Sequence, residues 1–510
     1  MANRGDSQNR FTRREVLLAA AAVPLAQGAV IGETTAAKAG ERVLAAGGNV
    51  VDAAVTAALV AGVVALPSCG IGGYGGHMVI AIGGRVTAID FNTTAPVKPP
   101  DRVHQHGWLS VGVPGTLAGL ELAVKRYGKR TFRQALEPAI QLAGEGFPFT
   151  DRLKNAVRAA EAQLRQDGGS ANLLLGGADT FRNPDLAAML EKLAAGDSAE
   201  PFYRGEIARR VAEGFAKNGG AVTEADLSDY RAREVKPIEF RWRGHSLFTP
   251  PPTAGGETVI QALATLKAGG YDPQSEDWDF ARLEALRIAW FDRLRLLGDP
   301  AKADVPLRRL LSDSYAGESA DRVQAALRAR KPLPIEGDPV KQTGTIHLSA
   351  ADQRGDMVAL TLTHGDGFGA RVTVDGMGLI LGHGMSRFDP RPGHPNSLGA
   401  RKRPLHNMCP TIVVRDGRPV LAVGATGGRR IPNSLFDVIT RFLAEGRTLP
   451  DAVAAGRMNT TGGLDLLLDK NWTEDQVRKF TSLGYQVHRA SGANVSAVAL
   501  TAGGLVTAQG

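Results

Sequence analysis

The order of the apolar patterns predicts an α+β protein built as a four-layer αββα sandwich. Helical spacing dominates from residue 36 to about residue 330, and alternating strand patterns dominate from residue 345 onward. At 510 residues the chain is long enough to bury the core of such a sandwich. It contains no internal repeat, so both halves of the sequence are expected to contribute to one body.

The first predicted elements are two helices and a β-hairpin. Residues 36–45 predict a helix that stops at a glycine pair, and residues 51–64, dense in Ala and Val, predict a helix that is buried on all sides. Two strand-like runs, residues 78–82 and 86–90, are separated by a short turn and predict a hairpin.

Helical patterns continue through the middle of the chain. They predict helices over residues 117–127 and 257–268 and a mostly helical region over residues 131–215. Residues 284–297 predict a long amphipathic helix. The proline-rich, polar residues 331–339 predict an exposed, mobile linker.

Strand patterns begin immediately after that linker. Residues 345–351 and 357–363 flank a five-residue turn and predict one hairpin, and residues 411–414 and 420–423 predict another. Asn433 is predicted to cap a helix that begins one residue later. Three short strands are predicted at the C-terminal end, over residues 486–489, 495–500 and 505–508.

The composition argues against several classes of function. The formal net charge of +8 is spread along the chain without a basic tail, which argues against nucleic-acid binding. The glycine-rich residues 70–76 lead into a strand and lack the Lys-Ser/Thr of a phosphate loop, so no nucleotide cofactor is expected.

Two cysteines, Cys69 and Cys409, exclude a disulfide framework, and whether they pair stays open. No metal is expected either, because four histidines near the glycine-rich motifs lack the spacing of a ligand set: His104, His106, His383 and His394.

The N-terminus has the layout of a secretory signal. Arg13 and Arg14 precede an apolar run over residues 19–26, and small residues follow at positions 26–29. The arginine pair is typical of the twin-arginine route, and the apolar run is shorter than the roughly 20 residues that span a bilayer. We therefore expect residues 1–28 to be a removable signal and the mature protein to be periplasmic or secreted. A buried N-terminal helix is the alternative.

Thr345 opens the first strand after the linker, and a threonine in such a strand is by itself a common structural residue. Eight short motifs around it carry more information. They are residues 47–54 (GGNVVDAA), 70–73 (GIGG), 113–119 (VPGTLAG), 250–256 (PPPTAGG), 298–300 (GDP), 402–405 (KRPL), 408–411 (MCPT) and 427–428 (GG). In these motifs, and over nearly its whole mature length, the chain resembles the γ-glutamyltranspeptidase family of N-terminal nucleophile hydrolases.

The resemblance implies a precursor that cuts itself between Gly344 and Thr345. The products are a large, mostly helical fragment (residues 29–344) and a small, strand-rich catalytic fragment (residues 345–510), which stay folded together. Thr345 is then an N-terminal nucleophile whose own α-amine serves as the base. The resemblance also implies that Thr363 hydrogen-bonds the nucleophile and that the backbone N–H groups of Gly427 and Gly428 bind the oxyanion.

The chain departs from the family at the residues that hold the substrate. The family's carboxylate-binding arginine aligns with Asn92, and an aspartate expected beside the donor's ammonium aligns with Arg387. An expected asparagine is Gly365, and an expected serine pair is His406-Asn407. Because an arginine repels an ammonium and binds a carboxylate, we expect a substrate with an anion at this place.

The sequence therefore predicts an amide hydrolase or acyltransferase, without cofactor, for a small amide that carries a carboxylate. Residues 392–398 and 402–406 are similar to the divergent branch of the family that includes oxamate amidohydrolase. Two alternatives stay open. One is a conventional γ-glutamyltransferase acting on glutathione, in which Arg387 points to solvent, and the other is a binding protein that has lost catalysis.

Overall fold

The computed structural model describes residues 28–337 and 344–510. Residues 1–27 of the predicted signal and residues 338–343 of the predicted linker lie outside this range. The α-helices are α1 (Thr34–Ala45), α2 (Val50–Val64), α3 (Thr116–Tyr127), α4 (Phe132–Glu145), α5 (Asp151–Leu164), α6 (Gly168–Leu174), α7 (Pro184–Ala195), α8 (Glu200–Tyr203), α9 (Glu206–Lys217), α10 (Glu224–Asp229), α11 (Gly256–Gly269), α12 (Trp278–Leu296), α13 (Leu307–Leu310), α14 (Asp313–Ala329), α15 (Arg430–Leu443), α16 (Leu449–Ala454) and α17 (Glu474–Leu483).

The longer strands form two large sheets, and these sheets contain the predicted hairpins. The strands are β1 (Gly28–Ile31), β2 (Gly75–Ile82), β3 (Arg85–Asp90), β4 (Phe147–Pro148), β5 (Thr180–Phe181), β6 (Arg233–Val235), β7 (Ile238–Trp242), β8 (His245–Thr249), β9 (Ile346–Asp352), β10 (Met357–Thr363), β11 (Thr373–Val374), β12 (Leu379–Ile380), β13 (Thr411–Arg415), β14 (Arg418–Thr426), β15 (Met458–Asn459), β16 (Asp465–Leu468), β17 (Gln486–Arg489), β18 (Asn494–Thr501) and β19 (Gly504–Gln509).

Each of the two large sheets contains strands from before and after Thr345. The first has the order β1-β9-β10-β2-β3-β6, so the β9-β10 hairpin lies at its centre between β1 and β2. The second has the order β19-β18-β14-β13-β8-β7. All neighbouring strands in both sheets are antiparallel. The prediction that both halves of the sequence build one sandwich is confirmed.

The layers follow from the alternation of side chains along β10. Val358, Leu360 and Leu362 face one side and join the core under α2, whose residues are all buried. Met357 and Ala359 face the other side and join a thin apolar layer between the two sheets. A strand buried on both faces has no solvent-exposed face, which explains the apolar run over residues 357–360 of β10. Helices α11, α12 and α15 cover the second sheet and complete the αββα order.

Helix α12 corrects the prediction of an amphipathic helix over residues 284–297. It begins earlier, at Trp278, and it carries charged side chains that are buried because they are paired. Arg282 donates to the carboxylate of Asp437, and Arg287 donates to that of Glu284. A buried charge is tolerated when it is paired in this way, so the charged residues of this helix do not form the solvent-exposed face that an amphipathic helix would have.

Helix α15 corrects a second prediction, because Asn433 does not cap it. The helix begins at Arg430, and Asn433 lies inside the first turns. Its side chain accepts a hydrogen bond from the indole N–H of Trp290 and donates to the carbonyl of Thr460. The asparagine that was predicted to cap the helix therefore makes long-range tertiary contacts instead.

The first residues of the predicted linker pack against the body of the protein. Ile335 is buried, and the backbone N–H of Leu333 donates to Glu284 at 2.9 Å. Arg287 donates to the carbonyls of Leu333 and Ile335. The expectation of an exposed linker is wrong for these residues, because they satisfy buried charges of α12.

Two further facts concern the body of the protein. Cys69 and Cys409 are both buried and free, so they do not pair. Across the described ranges, every helix is too short or too polar to cross a membrane.

Candidate active site

Thr345 and Thr363 meet at one end of the β9-β10 hairpin. Thr345 immediately precedes β9 and Thr363 is the last residue of β10, so antiparallel pairing brings them together. The hydroxyl of Thr345 donates to Oγ1 of Thr363 at 3.1 Å. Oγ1 of Thr363 also accepts from the backbone N–H of Gly365 at 2.7 Å. Both threonine side chains are buried, which holds this pair of hydroxyls in one geometry.

The backbone at Gly344 and Thr345 is strained. Gly344 has a φ of 80° and Thr345 a φ of 117°. A β-branched residue with positive φ is an outlier that costs about 1–3 kcal/mol, and the surrounding structure must hold it in place. Here the N–H of Thr345 donates to the carbonyl of Ser68 at 3.2 Å. The strain is thus located at the peptide bond that the sequence predicts to be cut.

Gly427 and Gly428 form the turn from β14 into α15. Their φ angles are 149° and 63°, and a Cβ on Gly427 would lie 2.9 Å from Cα of Ala493, so the turn requires glycine. Their carbonyls accept from the N–H groups of Arg430 and Ile431. Their own N–H groups donate to no acceptor within residues 28–337 and 344–510. Two free backbone donors at a helix start can bind an anion.

A small, narrow cleft lies beside Thr345. Most of the residues predicted to hold the substrate line it, together with residues that the sequence did not single out. The lining residues are Tyr74, Thr345, Gly365, Arg387, His406, Asn407, Met408, Gly428 and Ile431.

Arg387 brings a positive charge to this cleft. It ends the 3₁₀ turn Gly384–Arg387 and is half-buried. Its guanidinium donates to the carbonyl of Gly365 and to Nε2 of His383, at 3.2 Å for the latter. Among the described residues, no carboxylate lies within 4.0 Å of it. A guanidinium with neutral partners alone keeps its attraction for an anion.

His406 offers a hydrogen-bond donor to the same cleft. Its Nδ1 accepts from the N–H of Met408 at 3.2 Å, so the neutral ring carries its proton on Nε2. Burial, and then the neighbouring His77 ring at 4.7 Å, lower the pKa of His406 well below its usual value and keep it neutral. Nε2 is buried and has no partner among the described residues. It is therefore free to donate to a ligand.

Of the two predicted asparagines, Asn407 lies in the cleft lining and Asn92 does not. Asn92 is buried outside the cleft lining, and its amide donates to Oγ1 of Thr253 and to the carbonyl of Pro404. Asn407 does line the cleft, and its Oδ1 accepts from Arg293 at 3.4 Å.

Tyr74 is the cleft residue that sequence reasoning missed. Burial raises the pKa of its phenol, and contacts with Arg387 and Thr363 partly oppose that rise. The phenol therefore lies next to both the cation and the hydroxyl partner of Thr345. One signal was present: Tyr74 is the single large polar side chain in the glycine-rich run 70–76. In the part of the chain that the structure describes, no group of three metal-binding side chains is assembled.

A four-layer αββα sandwich with a threonine at the head of a central strand, beside two backbone donors, defines an N-terminal nucleophile hydrolase. The chain belongs to the γ-glutamyltranspeptidase family, since the sequence model of that family, described as Gamma-glutamyltranspeptidase, matches residues 36–510. Members of this family are hydrolases and transferases, and so is this protein.

Relatives that are named for different activities are about equally similar to the chain. A glutathione hydrolase proenzyme of Escherichia coli (strain K12) is 31% identical over 89% of this chain and 84% of its own length. An acylase ACY 1 proenzyme of Pseudomonas sp. (strain V22) is 34% identical over 92% and 89%. The crystal structure of a cephalosporin acylase from Bacillus halodurans superposes with a TM-score of 0.86, at 25% identity, over 99% of this chain and 97% of that one. The family is therefore established, while the acyl group is not.

Proposed function

We propose that the protein cuts itself between Gly344 and Thr345 and then uses Thr345 as the nucleophile of an amide hydrolase or acyltransferase. The observation that carries this proposal is the buried hydrogen bond between Thr345 and Thr363 next to the strained bond. Support comes from the relatives named proenzymes. The two products, ending at Gly344 and beginning at Thr345, stay together because both contribute strands to both sheets.

Cleavage begins when Oγ1 of Thr345 attacks the carbonyl carbon of Gly344. The C–N bond breaks as the ester forms, and the departing nitrogen takes the proton of the hydroxyl. Water then hydrolyses the ester, which leaves the carboxylate of Gly344, the hydroxyl of Thr345 and its free α-amine. That amine has an ordinary pKa near 7.7 to 8.0, so a useful fraction is neutral at pH 7 and takes the hydroxyl proton in later turnovers.

The amide substrate then follows the same chemistry. Oγ1 of Thr345 attacks its carbonyl carbon, and the N–H groups of Gly427 and Gly428 bind the oxyanion of the tetrahedral intermediate. The leaving amine takes the proton held by the α-amine of Thr345. Water, or an acceptor amine, attacks the acyl-enzyme and restores the hydroxyl.

We propose that the acyl group carries a carboxylate and that Arg387 binds it. Arg387 lines the cleft with Thr345, has no carboxylate partner among the described residues, and lies beside the free Nε2–H donor of His406. A γ-glutamyl group would bring its ammonium to this place, and the two charges would repel each other. The second candidate is a conventional glutathione hydrolase, which is the name of several relatives.

The N-terminal signal belongs to this proposal as well. Arg13, Arg14 and the apolar run after them support export by the twin-arginine route to the periplasm or beyond. Export of a reporter fused to residues 1–28, compared with the same fusion carrying Lys at both arginine positions, tests it. Equal export of the two fusions would rule out that route.

A denaturing gel tests the catalytic proposal. The purified protein should give two fragments whose boundary lies before Thr345, while Thr345→Ala should stay intact and Thr345→Ser should still be processed. A wild-type band that stays whole on incubation would remove the proposal. Turnover of oxamate and of γ-glutamyl-p-nitroanilide then separates the two candidate substrates, and efficient turnover of the second alone would favour the conventional enzyme.

A further inference from the structure

The hydrogen-bond partners of His383 determine which ring nitrogen carries the proton. Nδ1 lies 2.7 Å from the carbonyl oxygen of Gln105, which can only accept, so Nδ1 carries the hydrogen. Nε2 is then a lone-pair acceptor, and it lies 3.2 Å from Nη2 of Arg387, which can only donate. Burial lowers the pKa of His383 to about 3, so the ring stays neutral beside the guanidinium. The imidazole therefore ties Arg387 to the backbone of a distant loop.

Gly365 leaves the space that this ring occupies. A Cβ at position 365 would lie 2.5 Å from Nε2 of His383 and 2.9 Å from Cε1 of Tyr74. The φ of Gly365 is 101°, which also favours glycine. Its carbonyl accepts from Nη2 of Arg387. Both hydrogens of Nη2 are thus used, the Tyr74 phenol is a further contact of the guanidinium, and the N–H groups that are then left over can bind a ligand in the cleft.

We infer that His383 is a positioning residue that aims Arg387 at the carboxylate of the acyl group, and that it requires glycine at position 365. The pair of His383 and Arg387 selects amides whose acyl part carries a carboxylate and no ammonium group. The inference rests on the proposed function, because it assigns a ligand to the same cleft.

The first experiment compares His383→Asn with His383→Gln. Asn can keep the bond to the Gln105 carbonyl but has no acceptor in reach of Arg387, whereas the longer Gln can place an oxygen there. The probes are the monoamides of oxalic, malonic and succinic acids, with ammonia release as the readout. A hydrogen bond to a charged group controls affinity by about 10- to 100-fold. We expect His383→Asn to raise KM by that factor with little change in kcat, and His383→Gln to stay within several-fold of wild type.

The rate of self-cleavage distinguishes the inferred role from a merely structural one. A structural defect would slow self-cleavage, whereas loss of the inferred positioning role would not. Cleavage needs Thr345 and its partners but no acyl carboxylate, so His383→Asn should be processed at the wild-type rate. His488→Gln, on the exposed face of β17, is the matched control for purification and handling. An unchanged KM in His383→Asn, or a parallel loss of self-cleavage, would overturn the inference. Failure of the wild type to release ammonia from any probe would instead overturn the proposed substrate class.

The second experiment tests whether positions 365 and 383 act as a pair. Gly365→Asn introduces the side chain that tolerates positive φ best, and it should raise KM at least tenfold because it displaces the imidazole. In a His383→Ala background the same substitution should cost less than about threefold, since the imidazole is gone and only the edge of the Tyr74 ring stays close. Contacting residues give such coupling, whereas independent ones add. Additive effects of the two substitutions would contradict the inference.

Discussion

The hydroxyl of Thr363 gives the sharpest test of how Thr345 is held. Thr363→Val keeps the shape of the side chain and removes an oxygen that accepts two hydrogen bonds, from Thr345 and from the N–H of Gly365. Each bond contributes about 0.5–1.5 kcal/mol, and a buried donor left without an acceptor adds to the cost. We expect the precursor to lose about 2–3 kcal/mol of stability. Loss of the bond that orients Oγ1 of Thr345 should slow self-cleavage by about 10- to 30-fold, at 1.4 kcal/mol per factor of ten.

The matched control lies on the same strand. Thr361 is also buried, and its hydroxyl bonds Nδ1 of His347 at 2.8 Å, away from the cleft. Thr361→Val should cost similar stability while cleavage stays within about twofold of wild type, and Thr363→Ser should restore the rate. The assay follows the intact band on a denaturing gel after expression of the precursor. Equal slowing in Thr361→Val and Thr363→Val would refute the reasoning, because it would trace the effect to lost stability.

Three further predictions use urea unfolding of the uncleavable Thr345→Ala precursor. Burial raises the pKa of Glu257 to about 7, so the folded chain holds a proton that the unfolded chain loses near pH 4.5, and stability falls as pH rises between these values. Glu257→Gln should remove up to about 3 kcal/mol of that fall, and an unchanged pH profile would exclude it. Burial lowers the pKa of His347 to about 3, so stability falls as pH drops below about 6.5. His347→Gln should therefore reduce the loss between pH 7 and pH 5 by about 2 kcal/mol, and an equally steep loss would contradict this. A Cβ at Gly424 would lie 2.2 Å from the His347 ring, so Gly424→Ala should cost about 1–3 kcal/mol at pH 7, and a neutral result would show that the ring can move.

The hairpins and the sandwich were predictable because their signal is local. The side chains of β9 and β10 alternate between two buried faces, and the residues between the two strands are typical of a turn. All the information that predicts this hairpin therefore lies in one continuous stretch of chain. The same holds for the buried helix α2, which consists mostly of Ala and Val. Elements that depend on distant partners were predicted less well, as α12 and Asn433 demonstrate.

The candidate site divides in the same way. From the motifs that the chain shares with its family, the sequence predicted roles for Thr345, Thr363 and the glycine pair, and the structure places Thr345, Thr363 and Gly428 close together. The sequence also identified Arg387 as a reversal of charge. It left Asn92 in the predicted binding set, although that amide bonds to Thr253 and Pro404 and lies outside the cleft lining.

Only the tertiary structure decided how the cleft presents its charge. Tyr74 immediately precedes β2, His383 is held by the carbonyl of Gln105, and Gly365 makes room for both rings. These residues are far apart in sequence, and no local pattern connects them. The hydrogen-bond partners of the Arg387 guanidinium are brought to it by the packing of the whole sandwich. The orientation of this side chain could therefore be determined only from the folded structure.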